Sequence, residues 1–244
     1  MKTDVMSTER RIRVNGLPVN IVRKAIKNLH LGVYPPDGRV RVAAPLLVSD
    51  EAVRLAVVDK LGWIKRQQAR FEAQSRQGKR EMINGESHYF LGTRYRLCLV
   101  EHNGAAKVLI RNTATLEIHA RGASSTRSRE RVLQDWYRQQ LNELVPPLIE
   151  KWQEILEVEC AGWRIRRMKT KWGTCSTETG RISLNLELVK KPSECLEYII
   201  AHELVHLIER RHNDLFIALM NEHLPQWRLH RQLLNDAPLA HEIW

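Results

Sequence analysis

Two histidines four residues apart, His202 and His206, lie in an apolar stretch near the end of this 244-residue chain. Residues four apart share one face of an α-helix, so the two imidazoles can reach the same point in space. Glu203 is about 100° further round such a helix and therefore stands beside that point. A fold that contains this helix must bury most of it and leave the imidazoles accessible, because the residues around them are apolar. These residues are Leu196, Ile199, Ile200, Leu204, Val205 and Leu207.

The chemistry of these side chains favours a hydrolytic metal site. Neutral imidazole is a good zinc ligand, a catalytic zinc keeps one position for water, and a neighbouring carboxylate can accept a proton from that water. A bound metal would also give two buried histidines a partner. The pattern therefore predicts a zinc hydrolase with His202 and His206 as ligands and Glu203 as the catalytic base. A surface helix that carries these histidines by chance is the alternative, and the apolar flanks argue against it.

A zinc site of this kind needs a third protein ligand, and His212 is the best candidate. On an unbroken helix it would lie about 9 Å beyond His206 and about 120° off the shared face, so the helix must end before it. The spacing from His202 to His212 is that of the metzincin peptidases, although Glu209 stands at the position of their turn-forming glycine. Glu209 and Glu222 are the rival third ligands.

The composition is that of a globular chain, since 43% of the residues are hydrophobic and no apolar run approaches the ~20 residues needed to cross a bilayer. The N-terminal residues lack the apolar core of a secretory signal peptide. The cysteines are widely spaced, which favours neither a disulfide framework nor a cysteine zinc site. We therefore expect a cytoplasmic protein with no membrane partner and with reduced thiols. The cysteines are Cys98, Cys160, Cys175 and Cys195.

The chain is strongly basic, with 39 Lys and Arg against 28 Asp and Glu and a formal net charge of +11. Clustered cations attract phosphate groups, so this charge is compatible with a nucleotide or nucleic-acid partner. The basic residues are spread along the whole chain, however, which favours an ordinary solvated surface. A nucleic-acid function would require them to form one contiguous face.

The N-terminal third of the chain has the alternation of apolar and polar residues that is typical of β-strands. This alternation continues on both sides of a Pro-Pro-Asp-Gly turn at residues 35–38, which predicts a hairpin. Ser49 is predicted to cap the helix that follows. The polar segment 65–80 is predicted to be a fraying helix end or a linker.

A second strand-rich stretch covers residues 81–120. Asn84-Gly85 and Asn103-Gly104 are strong signals for hairpin turns, and apolar strand material surrounds both. Several antiparallel strands are therefore expected here.

The period of the apolar residues becomes helical after a predicted linker at residues 122–128. The helix is expected to be interrupted at Pro146-Pro147 and then to resume. Two strands, 163–176 and 181–186, are predicted between this helix and the metal helix. In zincin-like folds a strand beside the metal helix pairs its edge with an extended substrate, and these strands are placed for that role.

Together these patterns predict an α+β chain with two domains. Residues 1–122 are expected to form a mainly antiparallel β lobe. Residues 123–244 are expected to form a zincin-like helical lobe with a small sheet and the His-Glu-x-x-His helix. No internal repeat is visible in the sequence.

An ordered set of segments in the second half of the chain is more specific than these patterns. It comprises residues 167–176, 182–185, 192, 198, 202–207, 212–213 and 216. The set resembles the signature of the YgjP-like metal-dependent hydrolases, a bacterial family akin to the SprT-like zinc metallopeptidases. Thr174 and Ile217 depart from the residues common in that family, and neither is a predicted ligand. The first half of the chain resembles the family more faintly.

The resemblance implies a zinc ion held by His202, His206 and His212, with Glu203 catalytic. Three classes of function are open. A zinc metallopeptidase acting on a peptide or protein is favoured by the metal helix and the neighbouring strands. A metal-dependent nucleoside-triphosphate (UTP-type) pyrophosphatase, an activity proposed within this family, is compatible with the basic charge. The third class is a nucleic-acid-associated peptidase or binding protein.

The predicted strand before the metal helix supplies the candidate substrate-binding residues. Each also has an ordinary interpretation: Cys175 is favoured as a packing residue over a nucleophile, Trp172 as a core residue, and Asn185 is equally suited to a cap. The candidates are Trp172, Gly173, Thr174, Cys175 and Asn185.

Overall fold

The computed structural model describes residues 9–34, 38–73, 80–168 and 171–236. Its internal contacts group the chain into two compact units, Met1–Gln77 with His241–Trp244, and Gly78–Ala240. The predicted α+β class is confirmed, since strands dominate up to residue 120 and helices dominate after it. The predicted boundary at residue 122 falls inside the second unit, because the strands just before it share a core with the helices after it.

The first unit consists of a four-stranded sheet and two helices. They are β1 (Glu9–Val14), β2 (Leu17–Lys24), β3 (His30–Tyr34), β4 (Arg39–Pro45), α1 (Asp50–Asp59) and α2 (Leu61–Ala73). The strand order is β1-β2-β4-β3, with the parallel pair β2–β4 between two antiparallel pairs. One face of the sheet packs on the helices through a core that includes Ile21, Val42, Val57 and Ile64. The unit therefore has a hydrophobic core of its own.

Most predictions for this unit are confirmed where the structure describes it. β3 and β4 pair as the expected hairpin, although residues 35–37 of its turn lie outside the described residues. The Ser49 hydroxyl accepts a hydrogen bond from the Ala52 N–H (3.1 Å) and so caps α1. Helix α2 extends to Ala73, whereas the sequence predicts a fraying end from residue 65 onwards.

The second unit begins with another four-stranded sheet. Its strands are β5 (Ser87–Phe90), β6 (Thr93–Glu101), β7 (Lys107–Asn112) and β8 (Thr115–Ala120). The order β5-β6-β8-β7 repeats that of the first sheet, including a parallel pair at its centre. The sequence carries no visible sign of this repeated topology.

The two predicted Asn-Gly hairpin turns are wrong. Asn103-Gly104 lies between β6 and β7, which are separated by β8 and therefore do not pair. Asn84-Gly85 lies in a turn before β5, where the Gly85 N–H donates to the Leu97 carbonyl (2.8 Å). An Asn-Gly pair favours a local reversal of the backbone, but burial of apolar side chains decides which strands become neighbours.

A single long helix, α3 (Thr126–Leu156), follows this sheet. The interruption predicted at Pro146 and Pro147 does not occur, although each proline removes a backbone donor. Apolar side chains buried before and after the prolines hold both parts of the helix to one core, which offsets that loss. These side chains are Leu133, Tyr137, Leu141, Val145, Ile149, Trp152 and Leu156. Ser125 caps the helix, so the predicted linker is shorter than expected.

The rest of the second unit places a small sheet beside the metal helix. Its elements are β9 (Gly162–Arg166), β10 (Gly173–Ser176), β11 (Arg181–Asn185), a 3-10 helix (Leu186–Lys190), α4 (Ser193–Val205), α5 (Asp214–His223) and α6 (Trp227–Asp236). The segment predicted as one strand, 163–176, forms two separate strands, and β11 lies between them. Among the helices in the described ranges, none has the length and apolar character needed to span a membrane.

Candidate metal centre

Helix α4 carries His202 and is buried on most sides. It contacts α3, α5, α6, β10 and β11, and Ile200, Ala201 and Leu204 are fully enclosed. The helix ends at Val205, and His206 is its C-cap. The chain leaves helical geometry before His212, as the predicted ligand geometry requires.

The three histidines His202, His206 and His212 meet at one point. The ring centroid of His202 lies 4.9 Å from those of His206 and His212, which are 4.8 Å from each other. One ligand nitrogen from each ring lies within 4.8 Å of the other two, and the Nε2 atoms of His202 and His212 are 3.1 Å apart. Among the residues that the structure describes, these three histidines are the cluster of His, Cys, Asp and Glu side chains whose ligand atoms converge closely enough to hold a metal ion.

The protonation of two of these rings fits the chemistry of a metal ligand. Nδ1 of His206 lies 3.0 Å from the Glu209 carbonyl oxygen. The tautomer that donates from Nδ1 to that carbonyl has its lone pair on Nε2, which is the form a metal ligand takes. Burial lowers the pKa of His202 to about 3, and the neighbouring His206 and His212 add to the shift. The His202 ring is therefore neutral near pH 7, as ligation requires.

Phe216 forms an apolar base under the three histidines. Its ring centroid is 4.9 Å from those of His202 and His206 and 4.7 Å from that of His212. The Asn213 side chain accepts a hydrogen bond from the Phe216 N–H (3.1 Å) and caps α5, which fixes the position of the ring. In the sequence, Phe216 is noticeable only through the family resemblance.

Glu203 lies beside the imidazoles and is 5% exposed. Burial raises the pKa of its carboxyl group to about 7, and the charge of Lys171 opposes this shift. A carboxyl group with a pKa near the working pH can both accept and release a proton. Its position is therefore suited to proton transfer rather than to ligation.

Gly173 makes room for this carboxyl group. A Cβ atom added at position 173 would lie 2.5 Å from Oε1 of Glu203, and 2.7 Å and 2.8 Å from its Cγ and Cδ. No side chain fits there while Glu203 keeps its place. From the sequence, Gly173 is predicted only to bind substrate, because this close approach joins two elements that are distant along the chain.

The rival third ligands lie apart from the histidines. The Glu209 side chain accepts a hydrogen bond from the Arg211 N–H (2.8 Å) in the turn after α4, and this bond lowers the pKa of Glu209. Glu222 is exposed on α5. Neither belongs to the group of converging ligand atoms.

A cavity of about 530 Å³ lies over the histidines and Glu203. The residues of β10 and the turn after it form one wall. The lining residues besides the histidines and Glu203 are Lys171, Gly173, Thr174, Cys175, Ser176, Thr177, Glu178 and Arg210. Of the five predicted substrate-binding residues, Gly173, Thr174 and Cys175 therefore line the cavity, whereas Trp172 and Asn185 do not.

Asn185 binds the backbone at Met168 and at Lys171, which precede β10. Its Nδ2 donates to the carbonyl oxygens of Met168 (2.9 Å) and Lys171 (2.8 Å), and its Oδ1 accepts from the Glu187 N–H (3.2 Å). Trp172 packs against the main core. Asn185 therefore fixes the backbone of Lys171, which lines the cavity.

The Cys175 thiol lines the cavity in its protonated form. Burial raises the pKa of this thiol to about 11, and Glu203 and Cys160 add to the shift. Because the thiolate is the nucleophilic form, a thiol with this pKa is a poor nucleophile near pH 7. The packing role favoured for Cys175 is consistent with this environment.

Comparisons with known proteins give one family and several partial structural likenesses, among them two metallopeptidase zymogens. A family model described as "YgjP-like, metallopeptidase domain" matches residues 27–237. The metallopeptidase zymogen of Pyrococcus abyssi abylysin is 27% identical over 36% of this chain and 87% of its own, with a TM-score of 0.33. The metallopeptidase zymogen of Methanocaldococcus jannaschii jannalysin is 24% identical over 35% of this chain and 91% of its own, with a TM-score of 0.31. No curated protein matches the chain.

Proposed function

Because the chain belongs to the YgjP-like metallopeptidase family and is thus a metal-dependent hydrolase, we propose that it is a zinc peptidase with His202, His206 and His212 as ligands. One observation carries the proposal: three ligand nitrogens lie within 4.8 Å of one another beside a buried carboxyl group. Three imidazoles suit zinc better than magnesium or calcium, which prefer oxygen ligands. Zinc is therefore the expected cofactor.

Glu203 is the proposed general base. The metal, when bound, acts as a Lewis acid that polarises the scissile carbonyl and makes water more acidic. Glu203 accepts a proton from the attacking water and delivers it to the leaving amine, because its carboxyl group stands beside the imidazoles. A group in this role typically contributes about 10²–10⁴ in rate.

An extended peptide is the proposed substrate, because an edge strand lines the cavity. Within the described residues, β10 pairs with β11 alone, and Gly173–Ser176 all contribute to the cavity wall. A peptide can add to such an edge through main-chain hydrogen bonds. Lys171 and Arg210 also line the cavity, so acidic side chains near the scissile bond should be favoured.

The test compares Glu203→Gln with the matched variant Glu222→Gln, which removes an exposed carboxylate from α5. On a casein-type or peptide substrate, Glu203→Gln should lose nearly all turnover and keep one zinc per chain by elemental analysis. Glu222→Gln should match the wild type in both measurements. Undiminished turnover by Glu203→Gln would contradict the mechanism, and zinc loss from Glu222→Gln would make Glu222 the third ligand.

The pyrophosphatase alternative is tested in the same assay. Lys171 and Arg210 in the cavity wall would also suit phosphate groups. UTP is therefore offered to the same three proteins. Pyrophosphate release that depends on Glu203, without any peptide cleavage, would replace the peptidase proposal.

A further inference from the structure

The first sheet has an outward face that the catalytic site does not use. Its inward side chains, such as Ile12, Val19 and Val40, belong to the core with α1 and α2. Because side chains alternate along a strand, the residues between them point away from that core. The basic and aromatic members of this outward face are Arg11, Arg13, Lys24, His30, Tyr34, Arg39 and Arg41.

The arginines of the outward face are close neighbours across the sheet. Asn20 lies beside Arg11 on one side and Arg41 on the other, so the two arginines share one cross-strand row. Arg13 is two residues from Arg11 along β1, and Arg39 is two residues from Arg41 along β4. The Cα atoms of each pair are therefore about 7 Å apart. All four arginines are exposed. Neighbouring strands are about 4.8 Å apart, so these cations form one compact cluster.

An aromatic ring lies next to this cluster. Tyr34 is the cross-strand neighbour of Arg39. A Cβ atom added to Gly32 would meet the Tyr34 ring at 2.7 Å, so the ring lies over the glycine backbone on the outward face. The Tyr34 residue is partly exposed. The outward face thus combines a flat ring with four planar guanidinium groups.

The matching face of the second sheet is different. Its central strand β8 carries Glu117, whose carboxylate pairs with His119 (2.8 Å) and approaches Arg111 (3.9 Å). In the first sheet, Glu9 at the start of β1 is the single acidic residue in four strands. The acidic residue of the alternating set therefore stands on a central strand in the second sheet and at the start of an edge strand in the first.

We infer that the outward face of the first sheet binds single-stranded nucleic acid. Arginine forks bind phosphate oxygens in pairs of hydrogen bonds, and both guanidinium groups and tyrosine rings stack on bases. Stacking requires unpaired bases, so a duplex fits less well. A membrane surface fits less well too, because the strands β1–β4 carry no exposed large apolar side chain.

The test measures binding of labelled oligothymidylate and oligouridylate to the full-length protein by fluorescence anisotropy. The variant Arg13→Ser with Arg41→Ser removes two charges from the outward face. The control, Arg94→Ser with Arg96→Ser, removes two exposed charges from β6 of the second sheet. The two double variants have the same net charge, so they differ only in which sheet has lost its arginines.

Wild type should bind with a salt slope near −2.8, since each of four phosphate contacts contributes about −0.7 on a single strand. The Arg13/Arg41 variant should lose about 1.4 of that slope and bind about 25-fold more weakly at 0.1 M salt. The control should stay within about twofold of wild type, because it removes no phosphate contact. Tyr34→Leu should weaken binding about tenfold through lost stacking.

Several results would overturn the inference. They are no binding by wild type at low salt, equal losses in the control, or equal affinity for the oligothymidylate–oligoadenylate duplex. Binding of phosphatidylserine vesicles that depends on Arg13 and Arg41, without oligonucleotide binding, would make the face a membrane surface instead. Zinc content and peptide turnover should be unchanged in the Arg13/Arg41 variant, so this test is independent of the proposed catalysis.

Discussion

The two four-stranded sheets have the same strand order but different surroundings. The inner face of the first packs on α1 and α2 in a small core of its own. The inner face of the second joins a larger core, where Leu116 belongs to the same cluster as Tyr137 of α3 and Leu196 of α4. The second sheet therefore supports the metal helix, whereas the first sheet forms a separate core.

This difference shows that topology alone does not assign a role to a sheet. Every residue that lines the cavity lies between Lys171 and His212, within the second unit. The first unit instead carries the compact basic face. A substitution in one unit should therefore leave the properties of the other unit unaltered.

The largest effect is expected from His212→Ala. Loss of a ligand should weaken zinc binding by more than the ~10–100-fold that loss of a ligand's hydrogen-bond partner costs. Zinc content after dialysis against a chelator measures this, and turnover should fall with it. The Arg13/Arg41 variant in the first unit should retain zinc like wild type. Full zinc retention by His212→Ala, with loss from Glu209→Ala, would reassign the third ligand.

A pair of core substitutions tests whether the two cores are independent. Ile21 and Ile118 are both fully buried, one in each core. Replacement of either by alanine should cost about 2–5 kcal/mol in the unit that contains it. Hydrogen exchange followed by mass spectrometry should show faster exchange in the first unit for Ile21→Ala, and in the second for Ile118→Ala. Faster exchange in both units from either variant would mean one cooperative core.

The substitution in the second core should also reach the metal centre. Ile118→Ala should release zinc at a lower temperature than wild type, because its core includes α4. Ile21→Ala should release zinc at the wild-type temperature. Identical behaviour of the two variants would contradict the contrast between the sheets.

The sequence predicts the parts of the site that depend on local periodicity. Helical spacing places His202, Glu203 and His206 together, and the need for a third ligand makes His212 the best candidate over Glu209 and Glu222. The contact between Gly173 and Glu203, and the Phe216 ring under the histidines, join separate elements and leave no periodic signal. The repeated strand order is hidden for the same reason, since strand neighbours follow from which side chains are buried together.

A glycine substitution in each unit tests the packing around Glu203. Gly173→Ala should displace the Glu203 carboxyl group, and misplacement by about 1 Å can cost about 10²-fold in turnover. Zinc content and KM should change little. Gly62→Ala is the control, because its added Cβ meets only the end of the Arg66 side chain, at 3.5 Å.

A double variant distinguishes positioning from general damage. In a Glu203→Gln background, Gly173→Ala should lower the residual turnover little further, since the base it displaces is already absent. Additive losses would show that Gly173 acts through something other than Glu203.

The smallest effect concerns His88, a buried residue of β5 in the second sheet (1% exposed). Burial lowers the pKa of His88 to about 3, and Arg80 and Lys190 add to the shift. The Glu86 carboxylate lies 3.2 Å from Nε2 of His88 and by itself would favour the protonated ring. The same carboxylate also pairs with Arg80 at 3.2 Å, so the pKa of His88 is still lowered. The folded state therefore keeps His88 neutral, while the unfolded chain takes up a proton below its ordinary pKa of 6.5.

The sign of the pH effect follows from this difference. Stability from the neutral ring is fully present above pH 6.5 and falls as the pH drops towards the folded-state pKa, by about 1 kcal/mol between pH 6.5 and 5.5. Urea unfolding of the metal-free protein measures the slope, and His88→Gln should flatten it by that amount. The corresponding strand of the first sheet, β1, has no histidine. The rate of amide hydrogen exchange in peptides from β1 should therefore be the same in His88→Gln as in the wild type. An unchanged slope in the variant would mean that folding does not alter the pKa of His88, and a steeper slope would mean that Glu86 holds the ring protonated in the folded protein.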